Sequence, residues 1–394
     1  MSRNNRKQIL IIGGGIAGPA LALFLQRAGM SPVIYEAYPK GAEAVGTFLN
    51  IAPNGMNIVE TLGVAEAIKR VGFPCAGNRF YNNQGKAIGE LEFNPNHRFG
   101  QGSVMIKRGL LHHVLREAVE AAGIPIEFNK RLKSYTVGEG VTAHFEDGSV
   151  AQGDLLIGCD GLHSRVRQTM LPNAPTPTYT GVMDFGGFAQ EPSLPASDMT
   201  QMLFGKRAFF SYFVTPTGEI YWFGNYAQAT APARGNAMGA PSIEMQKQLQ
   251  ALYADAPAPV EALLRGVGGM VGQWPVYDMP ALPTWHQGDV CLVGDAAHAT
   301  SPHLGQGASQ ALEDVIVLAK CLRDLPTPEQ AFVAYEEQRK ARAEALVAEA
   351  RKIGNQKSPP TGMAAWFRDL LLPFFLKLTA KQTTWVYDYK VAWD

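Results

Sequence analysis

Near the N-terminus, three glycines have the spacing of a phosphate-binding turn. They follow the apolar run of residues 8–12 and form a GxGxxG pattern. In such a turn Gly13 permits the tight bend, Gly15 lets a pyrophosphate approach the backbone, and Gly18 lets the following helix pack on the strand. The first N–H groups of that helix point at the phosphates and carry a partial positive charge. The residues predicted to bind phosphate are Gly13, Gly15, Ile16, Ala17 and Gly18.

A carboxylate follows at a position where it can bind a sugar. Glu36 ends the second predicted strand, residues 32–36, and can accept hydrogen bonds from both hydroxyls of an adenosine ribose. A GxGxxG pattern alone is weak evidence, because any tight turn between a strand and a helix favours glycines. Strand, helix, second strand and terminal acid together predict a dinucleotide site. Glu36 disfavours a 2′-phosphate at this ribose, since two negative charges would meet.

A second acidic residue, Asp160, follows the short apolar strand predicted at residues 154–159. Ligands of α/β folds bind at the carboxyl ends of strands, so this position favours a binding role. Gly161 allows a sharp turn, and Ser164 can cap the helix that follows. An ordinary strand–turn–helix with a local hydrogen bond from Asp160 explains the same residues equally well.

A third motif starts with Gly294 and Asp295, after another predicted strand. Asp295 can bind a sugar hydroxyl, while Gly305 and Gly307 let backbone N–H groups approach a ligand closely. The helix predicted at residues 306–322 points its positive end at that ligand. The pyrimidine ring of a reduced flavin, which carries negative charge, would suit this place. We interpret His298 in this motif as a structural residue rather than a catalytic one.

Two kinds of element position these motifs. Strands and helices alternate at both ends of the chain, which predicts an α/β domain with a parallel sheet. Between residues 172 and 275, short aromatic-rich runs separated by Gly and Pro predict an inserted antiparallel sheet. The predicted dinucleotide-binding domain comprises residues 1–75, 98–172 and 276–360. The sheet domain comprises residues 76–97 and 173–275, and residues 361–394 form a C-terminal helix and tail.

The order and separation of the three motifs resemble the group A flavoprotein monooxygenases, which include para-hydroxybenzoate hydroxylase, salicylate hydroxylase and the tetracycline-inactivating monooxygenases. Lys107-Arg108-Gly109-Leu110-Leu111 is similar to the start of a helix whose arginine contacts FAD in that family. The resemblance covers nearly the whole chain. It implies the fold of para-hydroxybenzoate hydroxylase, with a Rossmann-like FAD-binding domain and an inserted substrate-binding sheet. The chain departs from the pattern at Ala37, where a basic residue is common, so one phosphate contact is either missing or supplied by Lys40.

The resemblance also implies a role for each motif residue. Glu36 would bind the adenosine ribose, Leu132 would border the adenine, and Arg108 and Asp295 would bind the linker and ribityl chain. Asp160 would serve both FAD and the nicotinamide cofactor. The residues expected to face the isoalloxazine are Pro302, Gly305, Gln306 and Gly307.

The implied reaction uses NADPH or NADH and O2 to hydroxylate an aromatic or polycyclic small molecule through a flavin hydroperoxide. A reductase or dehydrogenase of the same fold that inserts no oxygen is the alternative enzyme, and a flavin-binding protein without turnover is the alternative outside catalysis. No catalytic base is evident in the sequence. Strand alternation puts Phe210 and Tyr212 on one face of the sheet and Phe209 on the other. The predicted substrate-binding residues are Phe210, Tyr212 and Trp222.

Composition limits the other classes of function. The chain has 394 residues, with 35 Lys and Arg balancing 35 Asp and Glu, which favours neither nucleic acid nor an anionic membrane as a partner. The four cysteines are far apart and lack the spacing of metal ligands or redox pairs, so no metal site is predicted. These features predict a cytoplasmic enzyme that acts as a monomer or homodimer.

Overall fold

The computed structural model describes residues 7–41, 47–232, 243–265, 271–356, 371 and 384–394. The strands are β1 (Gln8–Ile12), β2 (Ser31–Tyr35), β3 (Phe48–Ile51), β4 (Phe73–Pro74), β5 (Gly77–Tyr81), β6 (Ala87–Glu92), β7 (Val104–Lys107), β8 (Ile126–Glu127), β9 (Leu132–Gly138), β10 (Gly140–Phe145), β11 (Val150–Gly153), β12 (Leu155–Gly158), β13 (Thr178–Gln190), β14 (Met199–Phe204), β15 (Phe209–Val214), β16 (Glu219–Ala227), β17 (Val271–Asp278), β18 (His286–Gln287) and β19 (Val290–Leu292). The helices are α1 (Ala17–Arg27), α2 (Pro53–Thr61), α3 (Ala65–Val71), α4 (Arg108–Ala121), α5 (Arg165–Met170), α6 (Ile243–Leu252), α7 (Ala258–Arg265), α8 (Asp295–His298), α9 (Gly307–Asp324), α10 (Pro328–Gln356) and α11 (Thr384–Tyr387).

A six-stranded sheet brings the three motifs together. Its strand order is β18-β19-β12-β1-β2-β8, and β1 pairs in parallel with both β12 and β2. Because β12 also pairs in parallel with β19, the carboxyl ends of β1, β2, β12 and β19 lie at the same edge. Each of the four strands is largely or wholly apolar, as buried parallel strands usually are. Helices α1 and α9 pack together in the hydrophobic core beside this sheet.

The inserted region forms a seven-stranded sheet with the order β17-β13-β16-β15-β14-β5-β6. Its neighbouring strands are antiparallel except for β14 and β5, which run in parallel. Two smaller sheets, β11-β10-β9 and β3-β7-β4, complete the strands. The antiparallel sheet predicted from the aromatic runs is therefore present, and the hairpin turn predicted at residues 146–149 joins β10 to β11.

Several local expectations need revision. The single helix predicted at residues 54–71 is two helices, α2 and α3, because Gly63 ends the first of them. Helix α7 and the strands β3 and β7 were not predicted. Most of the C-terminal helix predicted from residue 363 onward lies outside the described residues, and the described part is α11 with an extended tail. The domain boundaries stay a prediction.

Candidate active site

One cavity of about 2410 Å³ extends from the glycine turn after β1 to the inner face of the seven-stranded sheet. Of the fourteen residues predicted to bind the cofactor, Gly18 alone does not line it. The predicted residues that line the cavity are Gly13, Gly15, Ile16, Ala17, Glu36, Arg108, Leu132, Asp160, Asp295, Pro302, Gly305, Gln306 and Gly307. Residues far apart in the sequence thus border one continuous space.

The three glycines of the first motif have different surroundings. Gly13 has a φ angle of 109°, and a Cβ there would lie 2.3 Å from the carbonyl oxygen of Cys159. A Cβ on Gly18 would lie 2.0 Å from the carbonyl oxygen of Gly13, so this glycine lets α1 approach the turn. At Gly15 no atom lies within 4 Å of the position that a Cβ would take. Only Gly15 therefore leaves open space in front of the backbone, as close approach of a phosphate requires.

Backbone N–H groups hold Glu36 at the end of β2. Its Oε2 accepts a hydrogen bond from the N–H of Gly14 at 2.6 Å, and its Oε1 accepts one from the N–H of Tyr38 at 2.9 Å. Each carboxylate oxygen retains acceptor capacity toward the cavity. Lys40, the alternative phosphate contact, instead pairs with Glu120 at 2.7 Å. Arg131 lines the cavity nearby, with its guanidinium carbon 4.9 Å from the centre of the Tyr38 ring.

Asp160 has the local hydrogen-bonding role that its sequence position allows, and it also lines the cavity. Its Oδ2 accepts hydrogen bonds from the N–H groups of Arg165 at 2.7 Å and Val166 at 3.1 Å, so it caps the start of α5. Its Oδ1 is buried and has no hydrogen-bond partner in the described part of the chain. Burial raises the pKa of the Asp160 carboxyl. Ser164 caps the same helix through the N–H of Arg167, as predicted.

Asp295 and Arg108 are far apart in the sequence, but both line the cavity. Asp295 begins the short helix α8 after β19, and Arg108 begins α4 after β7. Burial raises the pKa of the Asp295 carboxyl. The nearby charges of His298 and Arg108 oppose this shift. The Arg108 guanidinium makes no hydrogen bond to another described residue, so it is available to an anionic group. His112 lines the same region, and burial lowers its pKa to about 4.

The turn before α9 is open toward the cavity. Gly305 has a φ angle of 65°, and no atom lies within 4 Å of the position of a Cβ at this residue. Gln306 occupies the N-cap position of α9 without a side-chain capping hydrogen bond, and its Oε1 accepts a hydrogen bond from Asn54 Nδ2 at 2.9 Å. The Nε2 of Gln306 is buried and lacks a partner within the described ranges. The N–H groups at the start of α9 are therefore free to meet a ligand.

A buried network of charges stands behind this turn and was not predicted. Asp314 accepts hydrogen bonds from the N–H of Gly294 at 2.9 Å and from Arg339 Nε at 2.8 Å, and its carboxylate contacts His298 Nε2 at 2.5 Å. His298 is buried, and this contact agrees with its structural interpretation. Burial opposes ionisation of Asp314, but His298 and Arg339 outweigh it and lower its pKa to about 2.

The predicted substrate-binding face of the sheet is wrong. Phe210 and Trp222 are fully buried in a separate core with residues of α6 and α7, and Tyr212 packs against that core. The opposite face borders the cavity. Its cavity-lining residues are Asn78, Phe80, Leu91, Asp184, Thr200, Met202, Phe204, Phe209, Phe223 and Trp274. Alternation correctly separates the two faces, but the helices α6 and α7 decide which of them is covered.

The described residues contain neither a candidate metal site nor a candidate membrane span. No group of His, Cys, Asp and Glu side chains there has an arrangement suited to a metal ion. Among the described helices, none combines the length and apolar composition of a membrane span.

A sequence profile described as FAD binding domain matches residues 6–350. The chain belongs to this family. It is 31% identical to an aurachin C monooxygenase/isomerase of Stigmatella aurantiaca over 369 residues, which cover 92% of this chain and 93% of the relative. It is 30% identical to a 6-hydroxynicotinate 3-monooxygenase of Bordetella bronchiseptica over 353 residues, covering 86% and 89% of the two chains.

The fold is similar to solved structures of FAD-binding proteins and hydroxylases. The crystal structure of Klebsiella pneumoniae HpxO with FAD and uric acid matches with a TM-score of 0.84 and 25% identity, covering 96% of this chain and 97% of the other. A substrate complex of salicylate hydroxylase matches with a TM-score of 0.80. The predicted group A monooxygenase family, its fold and its FAD cofactor are confirmed, and NAD(P)H is the usual electron donor of this class. The named relatives are monooxygenases or hydroxylases, so the alternative without oxygen insertion is not favoured.

Proposed function

We propose that this FAD-dependent monooxygenase hydroxylates a sizeable, mainly apolar aromatic molecule at the face of the seven-stranded sheet. The continuous cavity carries the proposal, because it joins the glycine turn to the aromatic face within one space. Along this cavity, the residues change from charged and glycine-rich near β1 to aromatic and apolar near β15 and β16. A dinucleotide and an aromatic compound can therefore lie in it end to end.

The residues near the six-stranded sheet fit FAD. The open space at Gly15 would admit the pyrophosphate, and Glu36 would bind the adenosine ribose, whose hydroxyls can donate to its carboxylate oxygens. Arg108 would neutralise phosphate charge, and Asp295 would accept hydrogen bonds from the ribityl hydroxyls. Asp160 Oδ1, buried without a described partner, would find a donor on the cofactor or the nicotinamide. Bound FAD supplies the chemistry: it accepts hydride from the nicotinamide and reacts with O2.

The start of α9 would stabilise negative charge at the isoalloxazine end. The backbone N–H groups of Gln306 and Gly307 would face the ring there, whereas the N–H of Gly305 already donates to the carbonyl oxygen of Pro302 at 3.0 Å. The helix adds its partial positive charge. Pro302 lies in the preceding turn and would border the ring. No side chain is assigned as catalytic base, since the chain's own contribution would be to position the substrate and exclude water.

The substrate end favours a flat, apolar compound. Phe204, Phe209, Phe223 and Trp274 offer ring faces and edges to an aromatic ligand. Aurachin C and 6-hydroxynicotinate, which appear in the names of relatives, give a starting set of chemistries to test. Phe209 and Phe223 thus replace Phe210 and Trp222 as proposed substrate contacts.

The experiment has two stages. The purified protein should be yellow and release FAD rather than FMN on denaturation, because the ligand that Glu36 is proposed to bind is an adenosine ribose, which FMN lacks. Phenolic and heteroaromatic compounds should then be screened for stimulated oxidation of NADH and NADPH, with oxygen uptake and product mass measured together. A product with one added oxygen atom supports the proposal. Stimulated nicotinamide oxidation without oxygen uptake would support the reductase alternative, and no oxidation with any compound would contradict both.

We also propose that the enzyme is cytoplasmic, works as a monomer or homodimer, and binds no nucleic acid. The balanced charge and the four buried free thiols support this setting, since reduced cysteines persist in a reducing compartment. Light scattering of the purified enzyme with and without DNA would test the assembly and the absence of nucleic-acid binding.

A further inference from the structure

The described C-terminal segment, residues 384–394, is fastened to the last two long helices. Arg342 of α10 donates hydrogen bonds to the carbonyl oxygens of Trp385 at 2.6 Å and Val386 at 2.9 Å. The guanidinium carbon of Arg342 also lies 4.5 Å from the ring centre of Tyr389. Farther along, Arg323 of α9 contacts Trp393 in the same way, at 4.5 Å. Contacts on both sides of Tyr387 therefore fix the backbone that carries it.

Tyr387 is 7% exposed and lines the large cavity. Its ring centre lies 5.7 Å from that of Phe93 and 6.1 Å from that of Phe99. The same apolar cluster contains Ala52, beside α2, and is packed against by Leu304, in the turn before α9. Tyr387 therefore lies where the proposed isoalloxazine end of the cavity meets the aromatic end.

The hydroxyl of Tyr387 has no hydrogen bond to another residue in the described part of the chain. Burial raises the pKa of this hydroxyl well above its usual range, and Cys75 adds to the shift. The group therefore stays protonated near neutral pH and can act as a hydrogen-bond donor. Because Tyr387 lines the cavity, an acceptor atom on a cavity ligand can receive a hydrogen bond from this hydroxyl.

We propose that Tyr387 is a substrate-binding residue whose hydroxyl donates a hydrogen bond to an oxygen substituent, phenolate or carbonyl, of the aromatic substrate. This inference rests on the proposed function, because it assumes an aromatic substrate beside the flavin ring. The hydrogen bond would orient the substrate in the cavity, and the site would prefer oxygen-bearing rings over plain ones. The C-terminal segment then contributes directly to substrate selection.

The test compares Tyr387→Phe with Tyr389→Phe in FAD-loaded protein. The first change removes the cavity hydroxyl and keeps the packed ring. The second removes a hydroxyl from the same segment, where the ring packs on Arg339 and Arg342 and does not line the cavity. Equal FAD content and thermal unfolding of both variants and the wild type would establish that the segment remains folded.

Binding is measured from the change in flavin absorbance with two matched probe pairs, 4-hydroxyquinoline against quinoline and 1-naphthol against naphthalene. Tyr387→Phe should weaken binding of the hydroxylated probes by roughly tenfold and leave the plain rings within about twofold. Tyr389→Phe should bind all four like the wild type. Equal affinities in the wild type and Tyr387→Phe would overturn the role of Tyr387 and leave the proposed function intact. A wild type that binds none of the four would overturn the proposed substrate class and this inference with it.

Discussion

The different surroundings of Gly15 and Gly18 give a sharp test of the cofactor site. A Cβ at Gly18 would lie 2.0 Å from a backbone oxygen, so Gly18→Ala must push α1 away from the turn. Overpacking of this kind typically costs about 1–3 kcal/mol of unfolding free energy. At Gly15 the same position is open to the cavity, so Gly15→Val should change the stability of the apoprotein by less than about 0.5 kcal/mol. Its side chain would instead occupy the space proposed for the pyrophosphate.

The two variants should therefore fail in different assays. Chemical unfolding of the apoprotein should show a loss for Gly18→Ala and none for Gly15→Val. Titration of apoprotein with FAD should show at least tenfold weaker binding for Gly15→Val, which corresponds to about 1.4 kcal/mol. Wild-type FAD affinity in a folded Gly15→Val protein would refute the placement of the phosphates. A stable Gly18→Ala protein would refute the packing argument instead.

Three further changes test other parts of the site. Asp295→Ala removes a charge-assisted hydrogen bond worth about 1.5–3 kcal/mol, so FAD titration should show affinity one to two orders of magnitude lower. In FAD-saturated enzyme, Gly305→Val should slow flavin reduction, measured by stopped flow, and should increase the yield of hydrogen peroxide. Wild-type values for both would contradict the proposed role of the turn in stabilising an anion. The pKa of Asp314, about 2, lies below its unfolded value, so its contribution of roughly 2 kcal/mol is complete above about pH 4 and disappears as pH falls toward 2. Unfolding measured against pH should show this acid loss in the wild type but not in Asp314→Asn.

The positions of the motif residues at the cavity could be predicted because they follow from local geometry. Each motif begins with a short apolar strand that ends in glycines, or just before Asp160 or Asp295. Because the strands are parallel, their carboxyl ends lie at one edge of the sheet. The cap at Ser164 depends only on the residues next to it. These features need no knowledge of which distant elements are neighbours.

The errors concern features that distant elements decide. The pattern of β15 separates Phe209 from Phe210 without ambiguity, yet both residues are apolar and either face could border the cavity. Helix α7, which was not predicted, packs with α6 on the side of Phe210 and leaves Phe209 to the cavity. Tyr387 was missed for the same reason. Nothing in the residues around it indicates that a C-terminal tyrosine reaches the cavity between the two large sheets.

Buried charged residues explain how α9 connects the turn that precedes it with the C-terminal segment, residues 384–394. Glu313 receives hydrogen bonds from Asn54 and Arg342 and pairs with Arg339 at 2.6 Å. Asn54 also contacts Gln306 at the cavity, and Arg342 also holds the segment that carries Tyr387. Burying ion pairs costs desolvation energy that is comparable to the attraction between the charges, so stability alone is a weak reason for this arrangement. A fixed geometry is the better reason. Helix α9 places its first turn at the cavity. Its residue Glu313 is linked through Asn54 to Gln306 in the turn before the helix, and through Arg342 to the C-terminal segment.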